Sequence, residues 1–549
     1  MTASKKLTTI APMKKYVSNI FSEYRSTPRV KFIPTMLMVA ILAACTAPIS
    51  KTGRRSDTFD AVAATQTFAS GFRHISERYI EPVSASELAL EGLRGLTTID
   101  PSLQIQHTGN RITIGSDILS LHSYTPPATN DCEGWANLTV QILLDAQNQA
   151  AHYQKTKLDK LYEAVFDGSL SHLDAFSRYA SVEQAKRDRE KRSGFGGIGI
   201  RFKMLENGAN VSLVFPGSPA SNAGLRPKDI ITHADGRSLV ELKRQETGSL
   251  LRGKIGSIVE VKVLRPPARI PFNLSIKRDR IVEITATHSV KNGVVNIHVT
   301  RFNNHTAQHV AQNLAQALQE VHRQLNGKAK GVILDLRSNP GGLLKQAVDV
   351  SDLFLVNGRI ISTRGRHPAS NHDYDAKSTD IARGLPLVVL INGRSASASE
   401  IVAAALQDHD RAVVIGSTSF GKGTVQTVIT LPNKAEITLT WSRFQTPSGY
   451  FLHGLGVSPS ICATRDENSD AANVIETALG NAVQYSETVQ AWHSVSTKQK
   501  RERQRLKEIC PATNQLNPID VKIAERLLKD TALYQRVKAL NQAIAFIGK

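Results

Sequence analysis

Apolar positions change their period several times along this chain, and each change marks a new kind of element. From Phe59 to about Leu96 they recur at helical spacing, with Phe68, Phe72, Ile75 and Tyr79 followed by Leu88, Leu90 and Leu93. Such spacing gives each helix one core-facing stripe. Ile105, Ile112, Ile114 and Ile118 flank Gly109-Asn110 and predict a small hairpin within residues 103–126. Residues 135–173 read as one or two amphipathic helices, and residues 182–192 as a charged helix. At Ser193 the texture turns glycine-rich and then strand-like, through Phe215 and on to a last strand at residues 258–264. Beyond Asp279, strands at residues 294–299, 331–336, 387–391 and 412–415 alternate with helical stretches such as 306–325. That alternation predicts a layered α/β core. From Ala471 to Lys549 the pattern is helical again.

These changes divide the chain into a leader (1–45), a helical region with a small hairpin (46–182), a glycine-rich β module (183–282), an α/β core (283–465) and a helical C-terminal region (466–549). A chain of 549 residues is too long for one core. Sixty-eight Lys and Arg against 48 Asp and Glu give a net charge of +20. An excess of that size raises nucleic acid or an anionic surface as partners. Much of it sits in the leader (Lys5, Lys6, Lys14, Lys15, Arg25, Arg29, Lys31) and in residues 498–507. No zinc finger, RNA-binding signature or basic-aromatic stripe accompanies it, so no nucleic-acid partner is expected.

The leader is more informative. Arg29 and Lys31 precede an apolar run, residues 32–44. The run is too short for a membrane span, which needs about 20 residues, but it suits the apolar part of a signal peptide. It ends in Leu42-Ala43-Ala44-Cys45, which resembles a bacterial lipobox. Cys45 is therefore expected to be lipidated, with Met13 an alternative start. The expected location is the bacterial cell envelope, lipid-anchored and facing the periplasm, at the outer membrane if the source is Gram-negative. Cys132, Cys462 and Cys510 remain, an odd number. A Cys462–Cys510 bond would tie the C-terminal region to the core, but the sequence leaves the pairing open. None has zinc-type spacing, and neither metal nor cofactor is expected.

Two short blocks carry chemistry. Ser395-Ala396-Ser397-Ala398-Ser399-Glu400 lies between a strand and a helix. A turn of small residues there can present a hydroxyl at a helix N-terminus, where free N–H groups favour a developing oxyanion. Phe420-Gly421-Lys422-Gly423-Thr424-Val425-Gln426 is the second block. It is not a phosphate loop: Gly423 stands where Ser or Thr is required, and a strand-like stretch rather than a helix follows. A lysine between glycines can serve instead as a desolvated base. Lowering a lysine from about 10.4 to near 7 corresponds to roughly 4 kcal/mol of disfavoured charge, and no acid adjoins Lys422 in sequence. Histidine alternatives are His298, His305, His409 and His453 for a triad, with Asp408-His409-Asp410 the most suggestive. His305 and His309 have zinc-type i, i+4 spacing, but no Glu follows His305.

Together with Leu173-Asp174-Ala175-Phe176-Ser177-Arg178-Tyr179, Asp335 to Leu343 (Asp-Leu-Arg-Ser-Asn-Pro-Gly-Gly-Leu) and Ala404-Leu406-Gln407-Asp408, these blocks resemble the carboxy-terminal processing (tail-specific) peptidases, serine peptidase family S41. The segment Gly196-Gly197-Ile198-Gly199-Ile200, followed by Pro216 to Leu225, resembles a circularly permuted PDZ domain. The resemblance covers roughly residues 161–461. It implies an α/β multidomain fold, a PDZ module plus a crotonase-like layered α/β catalytic core. It implies an endopeptidase cutting near protein C-termini, with Ser397 as nucleophile, Lys422 as base and Gln426 orienting the lysine. The N–H groups of Ala398 and Gly342 would form the oxyanion hole. The 196–200 loop would hold a peptide carboxylate, with Ile198 and Ile200 beside its last side chain, and Arg252 would couple the PDZ module to the site or be a plain surface arginine. Implied partners are proteins with exposed apolar C-termini, and the lipid anchor adds the membrane; an activating adaptor and a homo-oligomer stay open. One departure is Asp174-Ala175, where the family reads Asp-Pro. The alternative function is a catalytically silent PDZ scaffold in the cell envelope.

Overall fold

The structure, a computed structural model, describes residues 59–545 apart from 120, 269, 326 and 464–469. Cys45 and its leader lie outside the described residues.

The α/β core is built on a six-stranded sheet, in the order Ala286–Lys291, Val294–Val299, Gly331–Asp335, Leu387–Ile391, Val413–Gly416, Ile461–Cys462. The first pair is antiparallel and the rest are parallel. Leu387–Ile391 is buried at every position, because a central parallel strand is covered on both faces. Its alternation still matters. Leu387, Val389 and Ile391 face helices Thr306–Leu325, Leu344–Asp352 and Ala398–Asp408, while Val388 and Leu390 face C-terminal helices Ala471–Gly480, Pro518–Lys529 and Thr531–Ala545. Each such side chain, fully buried, contributes roughly 1.5–3 kcal/mol. The C-terminal region thus covers the second face of this six-stranded sheet.

A second, antiparallel sheet runs His372–Asp375, Arg359–Arg364, Glu436–Gln445, Thr424–Thr430, and the short strand Arg178–Ala180 also pairs with Glu436–Gln445. The helical N-terminal region packs on this sheet. Phe68, Phe72, Phe166 and Tyr179 form an aromatic cluster that shares its core with Ile429, Ile437 and Leu439. Residues 135–173 break into three helices rather than one or two: Cys132–Gln149, Ala151–Lys155 and Leu158–Ser171. The hairpin at Gly109 is present and gains a third strand, His122–Tyr124.

The β module has its own core of Ile198, Val211, Ile231, Val259, Val261 and Ile276, among others. Its sheet runs Phe272–Lys277, Ile258–Leu264, Ile230–Ala234, Gly208–Val214, Ile200–Leu205. Ile200–Leu205 is therefore an open edge. The fold class expected from the sequence, a PDZ module with a layered α/β core, is the one observed.

Candidate active site

The strand Leu387–Ile391 leads through six residues into the helix Ala398–Asp408. Three serines share this turn, and two are spent on holding it. Ser395 is fully buried; its Oγ donates to Leu336 O and accepts from Asn392 N–H, both at 2.9 Å. Ser399 is also fully buried, and its Oγ donates to Asn339 O at 2.9 Å, a carbonyl that takes Ala396 N–H as well, at 3.0 Å. Ser397 alone is half-exposed, and among the described residues no hydrogen bond ties its Oγ to another segment. Its backbone has φ +57° and ψ −112°, a conformation that costs a residue with a Cβ about 1–3 kcal/mol. The bonds of Ser395, Ala396 and Ser399 supply the restraint that holds it there.

Beside Ser397 runs Gly341-Gly342. Gly341 has φ +93°, and a Cβ on it would lie 2.5 Å from Ala396 O and 2.9 Å from Ala398 N and Ser397 Cβ. Only glycine allows this approach. Among the described residues, the N–H groups of Gly342 and Ala398 donate to no protein acceptor. Two free donors thus flank the one serine of the turn whose Oγ is not tied to the neighbouring segment.

Lys422 stands on the adjoining loop. Gly423 packs so tightly that an added Cβ would fall 1.9 Å from His453 N, and Gly454 N–H donates to Gly421 O at 2.8 Å. The C-terminal region buttresses this loop: Lys507 Nζ donates to Phe420 O at 3.2 Å, and the buried Arg503 guanidinium donates to the carbonyls of Val495, Phe451 and His453. A disulfide joins Cys462 to Cys510 and fastens the end of helix Lys500–Ile509 to the core, leaving Cys132 free among the described residues. From the other side comes Phe176, whose ring centroid lies 4.9 Å from Lys422 Nζ.

Burial holds Lys422 below the ordinary lysine value, and the Arg178 guanidinium pushes in the same direction; Glu400 and Asp174 oppose them. No acid adjoins Lys422 in sequence, yet folding brings two carboxylates close enough to act on it. Desolvation outweighs both.

Glu400 joins the two loops. Its fully buried carboxylate accepts from Ser397 N–H at 2.6 Å, Ser419 Oγ at 2.5 Å, Gly421 N–H at 2.6 Å and Lys422 N–H at 2.9 Å. Burial pushes the carboxyl upward in pKa, and these four donors oppose that shift. Sequence reasoning assigned Glu400 no role, although Ser397-x-x-Glu400 has the spacing of a capping box. Ser397 Oγ and Lys422 Nζ are not hydrogen-bonded to each other. Gln426 Nε2 donates to Thr424 Oγ1 at 2.9 Å and Thr440 Oγ1 at 3.3 Å rather than contacting the lysine amine. Of the histidine alternatives, His409 Nε2 sits 2.6 Å from Arg359 O, His298 Nδ1 lies 3.8 Å from Asp335 Oδ2, His305 Nδ1 lies 3.2 Å from Gln308 Oε1 and His309 faces Thr285, whereas His453 stays beside the lysine loop with its ring 6.2 Å from that of Phe176.

In the β module, Phe195–Gly197 pairs with Asp279–Ile281. The N–H groups of Ile198 and Gly199, at the foot of the open edge, donate to no acceptor among the described residues. Ile198 turns its side chain into the module's core at 2% exposure, whereas Ile200 is half-buried on the edge strand. Arg252 lies over the Phe195 ring at 4.0 Å and pairs with Glu190 at 3.0 Å. Glu190 is on helix Val182–Ser193, whose Arg189 and Arg192 both bind the buried Glu436 of the second sheet.

Comparison with known proteins places these features. Residues 293–463 match the model of peptidase family S41, and residues 196–276 match a PDZ domain. The carboxy-terminal-processing protease of Bartonella bacilliformis is 39% identical over 303 residues, 55% of this chain and 69% of that protein. The carboxy-terminal processing protease CtpA of Bacillus subtilis is 36% identical over 323 residues, 58% of this chain and 67% of that protein. A solved photosystem II D1 C-terminal processing protease is 24% identical with a TM-score of 0.35, covering 72% of this chain and 92% of its own. At the identity and coverage of the two bacterial relatives, the chain belongs to the carboxy-terminal-processing serine proteases of peptidase family S41, with a PDZ domain ahead of its catalytic core.

Proposed function

We propose that this protein is an endopeptidase that cuts proteins near their C-termini with a Ser397–Lys422 pair, after its PDZ domain has captured the free C-terminal segment. One observation carries the reading: of three serines in the turn, only Ser397 is free of the neighbouring loop, and it lies between two unpaired N–H donors and beside the loop of a desolvated lysine.

The chemistry follows. Neutral Lys422 takes the proton of Ser397 Oγ as the oxygen bonds to the scissile carbonyl carbon. The oxyanion is held by the N–H groups of Ala398 and Gly342. When the C–N bond breaks, the lysine ammonium returns its proton to the leaving amine. Water then attacks the ester, Lys422 takes a proton from it, and Ser397 regains a proton as the acid leaves. Gln426 orients the lysine indirectly, through Thr440, once the pair closes.

The open Ser397–Lys422 pair is the resting arrangement in this reading. A C-terminal carboxylate on the free N–H groups of Ile198 and Gly199, its strand added to the Ile200–Leu205 edge, biases the site toward closure. Arg252, through Glu190, lies on the path between the two. Ile200 rather than Ile198 would then meet the ligand's apolar last side chain.

Labelling of the full chain by a fluorophosphonate tests this. The wild-type protein is expected to label at Ser397, and Ser397→Ala and Lys422→Arg not at all, because arginine does not deprotonate in a protein. Equal labelling of Ser397→Ala removes the mechanism; an inert wild-type protein points to a silent PDZ scaffold. An uncleaved apolar-ended peptide added in trans is expected to speed labelling, and no change would mean that the PDZ domain only tethers substrate. We also propose that Cys45 carries a lipid and anchors the enzyme in the cell envelope. Intact-mass analysis showing an unmodified N-terminus elsewhere would refute that.

A further inference from the structure

Phe176 belongs to the helical N-terminal region, far from the catalytic core in sequence, yet its ring lies 4.9 Å from the amine of Lys422. Its position is tightly held. Asp174 Oδ1 accepts the N–H groups of Phe176 at 2.6 Å and Ser177 at 2.8 Å, and its Oδ2 accepts Ser177 Oγ at 2.8 Å. The same carboxylate takes Thr440 Oγ1 at 3.2 Å, and Ser177 Oγ accepts Thr440 N–H at 3.1 Å. Thr440 is the register partner of Gln426, whose amide it also receives. Residues 174–178 are thus pinned to the strand beside the lysine, and Phe176 is the side chain that they deliver. It is half-buried, and its other side meets the His453 ring edge-on at 6.2 Å.

Resting on the Ser397–Lys422 reading, we propose that Phe176 is a positioning residue for the general base: its ring caps the Lys422 amine and keeps bulk water from it. The helical N-terminal region is then a working part of the catalytic site. An aromatic ring does two opposed things to a nearby amine. Its face attracts the ammonium form, and its bulk strips water and so disfavours that form. Burial is the largest influence on Lys422 and lowers its pKa, and the Phe176 ring, 4.9 Å from the amine, is part of that burial. Arg178, two residues on and exposed, adds a through-space push of the same sign. The other charged or titratable groups facing this space are Asp174 and Glu400, which oppose the lowering, His453, whose own pKa burial lowers, and Lys507 and Arg503 behind the loop.

The sign follows directly. Labelling needs neutral Lys422, so its rate falls as pH drops through the lysine's folded pKa. Anything that wets the amine moves this acid limb to higher pH. The experiment is the pH profile of fluorophosphonate labelling for the full chain and three variants. Phe176→Ala is expected to shift the acid limb upward by about one pH unit. Phe176→Leu, which keeps the apolar cap without the π face, is expected to leave the limb at or slightly below its wild-type position. Arg178→Gln is expected to shift it upward by a few tenths of a unit at low salt, and this shift should vanish near 1 M salt, where the screening length is about 3 Å; the Phe176→Ala shift should persist. An unmoved limb in Phe176→Ala, or a downward shift, overturns the proposal. Lys422→Arg separates the two readings: if it still labels, the Ser–Lys pair itself is wrong, whereas an inert Lys422→Arg with an unmoved Phe176→Ala limb sinks only the role of Phe176.

Discussion

The serine side and the lysine side of this active site are built in opposite ways. The serine turn is held mainly by one neighbouring segment: Ser395, Ala396 and Ser399 all bond to the stretch between Leu336 and Asn339, at the end of the adjacent parallel strand. The lysine loop is assembled from segments scattered along the chain. Phe176 comes from the helical N-terminal region, His453 and Gly454 from a loop after the second sheet, and Arg503 and Lys507 from the C-terminal helices. The contrast has a chemical reason. A nucleophile at a helix N-terminus needs a sharp turn and free N–H groups, which local backbone can supply. A base with a depressed pKa needs water removed from several directions, and one segment cannot surround an amine. Glu400 crosses the divide, with one carboxylate serving both loops.

That contrast can be broken or sharpened by experiment. The largest effect on stability is expected from the C-terminal buttress. The Cys462–Cys510 bond closes a separation of 48 residues, worth about 4 kcal/mol in the chain-entropy description. Cys510→Ser should lower stability by an amount of that order in denaturant unfolding, with catalysis failing before the serine turn unfolds. A variant as stable as the wild-type protein would show that the lysine side stands without its remote support.

Glu400→Gln comes next. An amide presents an NH2 group where the carboxylate oxygens accept four donors, leaving at least one buried donor unpaired. The cost is expected to be about 3 kcal/mol, read as a fall in labelling rate of about 100-fold together with a lower melting temperature. If activity is unchanged, the two loops are set independently and the linking role of Glu400 is wrong.

The smallest effect belongs to the serine side. Ser399→Ala deletes one buried hydroxyl, while Asn339 O keeps its bond from Ala396 N–H. A loss of about 1 kcal/mol in unfolding free energy is expected, with labelling of Ser397 retained. Complete loss of labelling would show that the turn has no redundancy and that the serine side is as fragile as the lysine side.

The legibility of the site follows the same division. Ser397 and Lys422 stand in short blocks whose surroundings are mostly small residues within a few positions, and a strand-to-helix turn announces itself in a line of sequence; Ala398 and Gly342 are named only through the family resemblance. Phe176 stood in a recognised block but carried no visible role, since nothing local says which strand residues 174–178 will dock against. Gln426 is similar: its neighbours in space, Thr424 and Thr440, depend on the register of the Thr424–Thr430 and Glu436–Gln445 strands. Ile198 and Ile200 differ in burial because the loop ends and the edge strand begins between them, a point that alternation alone does not locate.

The sequence by itself determined the order of modules, the fully buried central strands, the PDZ-like loop and the identity of the two chemical blocks. All of these depend on period, on glycine and on near neighbours, which a linear chain displays. Tertiary structure decided which serine stays free, which side chain caps the amine, which cysteines pair and which carboxylates reach Lys422. Those outcomes rest on contacts between segments tens to hundreds of positions apart, and a lysine's protonation depends on all of its neighbours in space, whereas the sequence lists only those along the chain.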